Sequence, residues 1–176
     1  MTVADSIAEF FAVKGIGHAF GIIGAGNAAL FDAIARRGAT EIVCCHHEAA
    51  AVMAATYYGR YRGGVGVALV TTGAGSSNAI TGALAAYMDW APVLILSGNE
   101  PSKYLDMEPS RVVGVQGFDT ARAVKRFVKL SLRAGDCILK PMDVLDAGYT
   151  AALEGDPGPV WVDIPRDLFN SNGGQQ

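Results

Sequence analysis

Three short runs constrain this chain more than anything else in it: Val65 to Thr72, Pro92 to Ser97 and Pro159 to Ile164. Each is apolar at nearly every position and lacks the polar alternation of a strand with one face in water. Strands of that composition are buried on both faces, as in parallel sheets sandwiched between helices. Around them, apolar residues recur at helical spacing. Val3, Ile7, Phe10, Phe11 and Lys14 trace one helix, which Gly15 ends. A strand over His18 to Ile23 follows, then a helix through Ala28, Leu30, Phe31 and Ile34 to Gly38. A strand from Glu41 to Cys45 leads into a helix from about Glu48 to Arg60, and a further helix runs to about Asp89. Asn99 to Gly117 reads as a long irregular connection, which in a compact domain is usually functional. Arg122 to Leu132 fits either a short helix or a strand, and Pro141 to Glu154 reads as a helix. The alternation predicts an α/β fold: a parallel β-sheet with helices on both faces.

Length matters here because such a sheet needs a sizeable core. At 176 residues, 51% of them apolar, the chain suits one domain. We expect that domain over residues 1–169, followed by a polar, disordered tail at 170–176. The net charge of −3 is scattered, which leaves no footprint for nucleic acid and no basic patch for a membrane surface. Three cysteines, two of them adjacent, make no disulfide framework, so a reducing, cytoplasmic setting is expected. The opening residues carry an early acid and no basic region, unlike a secretory leader. No apolar run reaches the roughly 18 residues that span a bilayer.

In parallel sheets, ligands bind where the chain leaves the carboxyl ends of the strands. Four segments fall there and should converge on one crevice: Gly24 to Asn27, His46 to Glu48, Thr71 to Asn78 and Ser97 to Glu100. Glu48 is the one carboxylate at a junction otherwise made of small and apolar residues. Such an acid is either solvated in a first helical turn or enclosed with a partner that shares its proton. Gly24-Ala25-Gly26-Asn27-Ala28-Ala29 fits G-x-G-x-x-A, with Glu48 about twenty residues on, the ingredients of a nicotinamide-dinucleotide site or merely of a tight turn. Thr71 to Asn78 could cradle a phosphate at a helix N-terminus, or Ser76 and Ser77 could simply cap the helix. Cys44, Cys45, His46, His47 and Glu48 lack metal-ligand spacing, because successive strand side chains point to opposite faces. Cys137 has no recognisable base nearby. Tyr57, Tyr58 and Tyr61 read as packing residues, and Asp163 as a strand end that bonds locally.

Taken together, the motifs resemble the pyrimidine-binding (PYR) domain of thiamine-diphosphate enzymes of the acetolactate synthase type, from Val3 to about Asp167. Phe20-Gly21-Ile22-Ile23-Gly24-Ala25 is similar to the family's F-G-x-P-G-G. His47-Glu48-Ala49-Ala50-Ala51-Val52-Met53-Ala54 is similar to H-E-x-A-A-x-x-M-A. Thr71 to Gly82 resembles T-S-G-P-G-x-x-N-x-x-T-G, and Gly158 to Asp167 resembles the stretch that closes the domain. Ile23, Ala25 and Ala74 depart from the pattern. So does Val115, which precedes Gln116 where the synthases carry an aromatic residue, implying a reshaped acceptor pocket.

The resemblance implies a flavodoxin-like three-layer sandwich and a role for Glu48. In this family the matching glutamate hydrogen-bonds N1′ of the cofactor's aminopyrimidine. The cofactor then supplies carbanion chemistry that decarboxylates a 2-keto acid, followed by carboligation or release of an aldehyde. By the same resemblance Gly24, Ala25, Gly73 and Asn78 flank the pyrimidine or the reacting centre. Gln116 faces the substrate, and His47 adds a second polar group. The family holds the diphosphate and its Mg2+ through G-D-G and a later N-N on a separate domain, and neither motif occurs here. The resemblance therefore implies a second subunit carrying the diphosphate-binding (PP) domain, in a heterotetramer or larger assembly, or else a fragment of a longer chain. Two other readings stand beside it: a non-catalytic regulatory or scaffold subunit that keeps the fold, and a nicotinamide-binding domain.

Overall fold

A computed structural model of the protein describes residues 1–105, 112–135 and 140–172. The elements run α1 (Val3–Val13), β1 (His18–Gly21), α2 (Ala28–Arg37), β2 (Glu41–Cys44), α3 (Glu48–Arg62), β3 (Gly66–Val70), α4 (Ala74–Met88) and β4 (Val93–Asn99). They continue with α5 (Ser102–Leu105), α6 (Thr120–Val124), β5 (Leu130–Arg133), α7 (Pro141–Leu153), β6 (Pro159–Pro165) and α8 (Arg166–Phe169). The six strands form one sheet in the order β2-β1-β3-β4-β6-β5, every pair parallel. This is the expected α/β fold. From β1 the chain moves outward to β2, then returns to place β3 on the other side of β1. That reversal between β1 and β3 is where such sheets open a crevice.

The continuous apolar strands explain the two cores. Alternate residues point to opposite faces. Val67, Leu69, Leu94, Leu96, Val160 and Val162 pack under α1, α2 and α7. Ala68, Val70, Val93, Ile95 and Trp161 pack under α3, α4 and α6. Both sets are almost wholly withdrawn from water. Helix α1 starts where a capping box closes: the Asp5 N–H donates to Thr2 Oγ1 at 3.1 Å, and the Thr2 N–H donates to Asp5 Oδ2 at 3.0 Å.

Several local expectations need correction. Helix α4 begins at Ala74, so Ser76 and Ser77 lie inside it; Gly73 is the residue before it, and no side chain caps it. β4 continues through Asn99 and β6 through Pro165, because the polar side chains of Asn99 and Asp163 are buried against each other. Asp163 thus lies within a strand and bonds across the sheet rather than locally. The ambiguous stretch holds both elements, α6 and then β5. Part of the long connection is ordered as α5 and as a turn closed by the pair Val113 and Gly117. The start of the tail is also ordered: the Val3 N–H donates to Ser171 O at 3.0 Å, and Asn172 bridges Thr2. Tyr58 packs on His18 and Phe20, whereas Tyr57 and Tyr61 stay exposed. Cys137 and residues 173–176 lie outside the described residues. Among the described residues, no helix is long and apolar enough to cross a membrane.

Candidate active site

The four strand-end segments do meet. After β1, Asn27 folds the chain back: its Oδ1 accepts from the Gly24 N–H at 2.8 Å, and its Nδ2 donates to Ile22 O at 3.0 Å. The Gly26 N–H then donates to Thr71 Oγ1 at 3.1 Å, joining this loop to the end of β3. Thr72 Oγ1 donates to Gly98 O at 3.2 Å, which joins β3 to β4. Ser76, on α4, donates to Thr71 O at 2.7 Å and sits 2.7 Å from the Ser97 hydroxyl. The crevice floor is therefore a closed network of small polar groups rather than an apolar core.

Glu48 stands at the first turn of α3 and is 8% exposed. Asn78, one turn into α4, donates from Nδ2 to Glu48 Oε2 at 3.0 Å. Among the described residues Oε1 accepts no hydrogen bond, and it lies beside Gly75. A largely enclosed carboxyl thus has one oxygen held and one open. Of the two alternatives for this acid, the geometry is that of enclosure. His47 uses one ring nitrogen locally. Its Nδ1 accepts from the Ala49 N–H at 3.2 Å, so it caps α3 from an exposed position.

Gln116 comes to the same corner from the long connection. Its side-chain amide donates to Thr72 O at 3.4 Å. Gly73, between them, has φ +70°, and a Cβ there would lie 2.3 Å from Gln116 O. Only glycine fits that backbone at that approach. Gly24 also belongs to this corner, against Thr71. Ala25 does not turn with the others. It lines a cavity of about 350 Å³ together with Gly26, Pro101 and Arg166, a cavity that includes neither Glu48 nor Gln116.

Residue-by-residue reading placed Asn99 and Glu100 in a strand-end segment and Asp163 at a strand end, but missed the partners that all three find. All three are buried, and all three are polar residues set in or just after an apolar strand, a signal that was available in the sequence. Asn99 Nδ2 donates to Asp163 Oδ2 at 2.7 Å and to Phe118 O at 3.0 Å. Complete burial pushes the Asp163 carboxyl up to about 7, and the Asn99 amide offsets only part of that.

Comparison with known proteins decides the family. The sequence pattern of the family described as "Thiamine pyrophosphate enzyme, N-terminal TPP binding domain" matches residues 1–122. The chain belongs to the thiamine pyrophosphate enzyme family. It is similar to the acetolactate synthase large subunit of Haemophilus influenzae, 36% identical over 169 residues that cover 96% of this chain and 28% of that one. It is also similar to the isozyme 3 large subunit of Escherichia coli, 34% identical over 167 residues, and to the acetolactate synthase of Bacillus subtilis, 34% identical over 168 residues. The chain spans about 28% of the length of these relatives. In this thiamine pyrophosphate enzyme domain of the acetolactate synthase-like type, Glu48 lies beside the ends of β1 and β3, at the start of α3. The geometry there suits a nitrogen heterocycle. One carboxyl oxygen is free to meet a ring nitrogen, and the walls beside it are glycine backbone and short hydroxyl side chains.

Proposed function

We propose that the chain supplies the pyrimidine-binding half of a thiamine-diphosphate enzyme that decarboxylates a 2-keto acid. The product is either ligated to an acceptor, as in the acetolactate synthase-like reaction, or released as an aldehyde. The observation that carries this reading is the state of Glu48: enclosed, fixed through Oε2 by Asn78, and open at Oε1. Thiamine diphosphate brings the carbanion chemistry. This chain's residues hold and polarise it. Glu48, with Oε1 open, would hold the aminopyrimidine and exchange a proton with it, which is the work of a positioned acid–base group. Asn78 keeps the carboxyl aimed. Gly24 and Gly73 leave room for the ring, while Ala25, next to Gly24, is turned toward the neighbouring cavity. Gln116 faces the keto acid, and His47 fixes the helix end from which Glu48 projects.

Residues 1–169 form the domain in this reading, followed by the polar segment 170–176. A second subunit carrying the PP domain supplies the diphosphate and Mg2+ site, in a heterotetramer or larger assembly. The relatives, with more than three times this length, support the need for further protein beyond this stretch, whether on a second subunit or on the same chain. The unpaired thiols of Cys44 and Cys45 suit a reducing, cytoplasmic setting.

The test is Glu48→Gln in the assembled enzyme. Gln keeps the bond from Asn78 and the shape, but cannot exchange the proton. Turnover should fall by about 10²-fold or more with the melting temperature nearly unchanged. Undiminished turnover would exclude the role.

A further inference from the structure

Glu100 is a buried carboxylate, 3% exposed, with no part in the chemistry above. Its surroundings are unusual for a structural acid. The chain from Val113 to Gly117 forms a tight turn, closed by Val113 N–H to Gly117 O at 2.9 Å and the reverse bond at 2.8 Å. The turn wraps around the Glu100 side chain. The amides of Val115 and Gln116 both donate to Glu100 Oε1 at 3.3 Å. A Cβ on Gly114 would lie 2.8 Å from Glu100 Cδ, and one on Gly117 would lie 2.6 Å from Glu100 Cγ. Glycine at both places lets the backbone close on the carboxylate.

The acid is itself held at its root. Asn99 Oδ1 accepts from the Glu100 N–H at 2.8 Å, while Asn99 Nδ2 ties Phe118 O and Asp163. Glu100 Oε2 makes no hydrogen bond to a described residue but lies 3.5 Å from the Arg166 guanidinium, which balances its charge. Burying a charge is costly. Here the buried charge orders a turn whose tip is exposed: Val115 is 80% accessible. What the turn does carry is Gln116, with its amide on Thr72 O.

We propose that Glu100 is a positioning residue: it clamps the 113–117 turn so that Gln116 is presented at the Thr72–Gly73 corner of the substrate site. The inference rests on the functional reading above for what Gln116 meets, and on geometry alone for the clamp.

Two measurements separate these. The first is amide hydrogen exchange by NMR on the 176-residue chain. Glu100→Ala should speed exchange at Val115 and Gln116 by about tenfold or more, with the sheet amides unchanged. Glu100→Gln, which keeps an acceptor oxygen, should restore most of the protection. The second is steady-state kinetics of the enzyme assembled with its diphosphate-binding partner. Glu100→Ala should lower kcat/KM for the 2-keto acid about tenfold or more while leaving thiamine-diphosphate affinity unchanged. Gln116→Ala should give the same loss without faster exchange, and the double variant should lose little more.

Unchanged exchange in Glu100→Ala overturns the clamp. Faster exchange with unchanged kcat/KM overturns the positioning role. If the assembled wild-type enzyme turned over no 2-keto acid, the proposed function would fall, and the exchange comparison would still decide the clamp.

Discussion

Asp163 shows how one side chain can write a pH dependence into the fold. It is wholly buried within β6, and burial lifts its pKa from the ordinary 3.8 to about 7. Between those two values the native state keeps the proton and the unfolded chain releases it. The native state therefore binds more protons in that window, and stability falls as pH rises through it. Below about pH 4 the penalty vanishes; above about pH 7 it is complete. One pKa unit is worth about 1.4 kcal/mol, so the penalty amounts to a few kcal/mol. Asn at this position can still accept the Asn99 amide and has nothing to titrate. Asp163→Asn should shrink the difference in urea-unfolding free energy between pH 5 and pH 8. A variant with the same pH difference as the wild type would show that the burden lies elsewhere.

At the scale of elements, the site depends on how closely α3 and α4 approach. Glu48 opens α3, and Asn78 sits early in α4. The two helices pack through small residues, with Ala79, Ala83 and Ala86 of α4 buried near Val52 and Ala55 of α3. Gly82 is the tightest point: a Cβ there would lie 2.8 Å from Ala49 O and 2.7 Å from Val52 Cβ. Gly82→Leu should push the helices apart. We expect about 1–3 kcal/mol of destabilisation in urea titration, together with loss of the Asn78–Glu48 bond and weaker cofactor binding. Retention of both stability and cofactor affinity would place the helix spacing under other control. The α4 boundary carries a related lesson. Ser76 is a good capping type, yet its hydroxyl is taken by Thr71 O and Ser97 across the sheet end. Tertiary partners outbid local capping, and the helix starts three residues earlier than a Ser76 cap would set it.

For the whole molecule, our reading is that one half of a cofactor site is built here: the enclosed acid and the glycine walls would serve the aromatic end of thiamine diphosphate, and the charged end would belong to another subunit. A ligand held at both ends by two sites binds far more tightly than by either alone. Calorimetric titration of the isolated chain with thiamine diphosphate and Mg2+ should show an affinity at least about 10²-fold weaker than the assembly with the PP-domain subunit. Equal affinity in the two would contradict the division of the site.

The sheet, its parallel sense and its two helical layers were legible in the sequence, because burial on both faces leaves a run of apolar residues that no local context disguises. Glu48 and the glycines around it were legible because each sits beside a strand end, where close approach demands particular residue types, whereas Asn78, a turn into α4, was singled out only through the family resemblance. The partners of Asn99, Glu100 and Asp163 were not legible. Asn99 meets Asp163 across 64 residues of chain, and Glu100 meets the turn it clamps across 15 and 16. A polar residue in an apolar run announces only that some partner must exist. Which partner it finds was decided by the order of the strands, which set β6 beside β4 and brought the 113–117 turn over their ends.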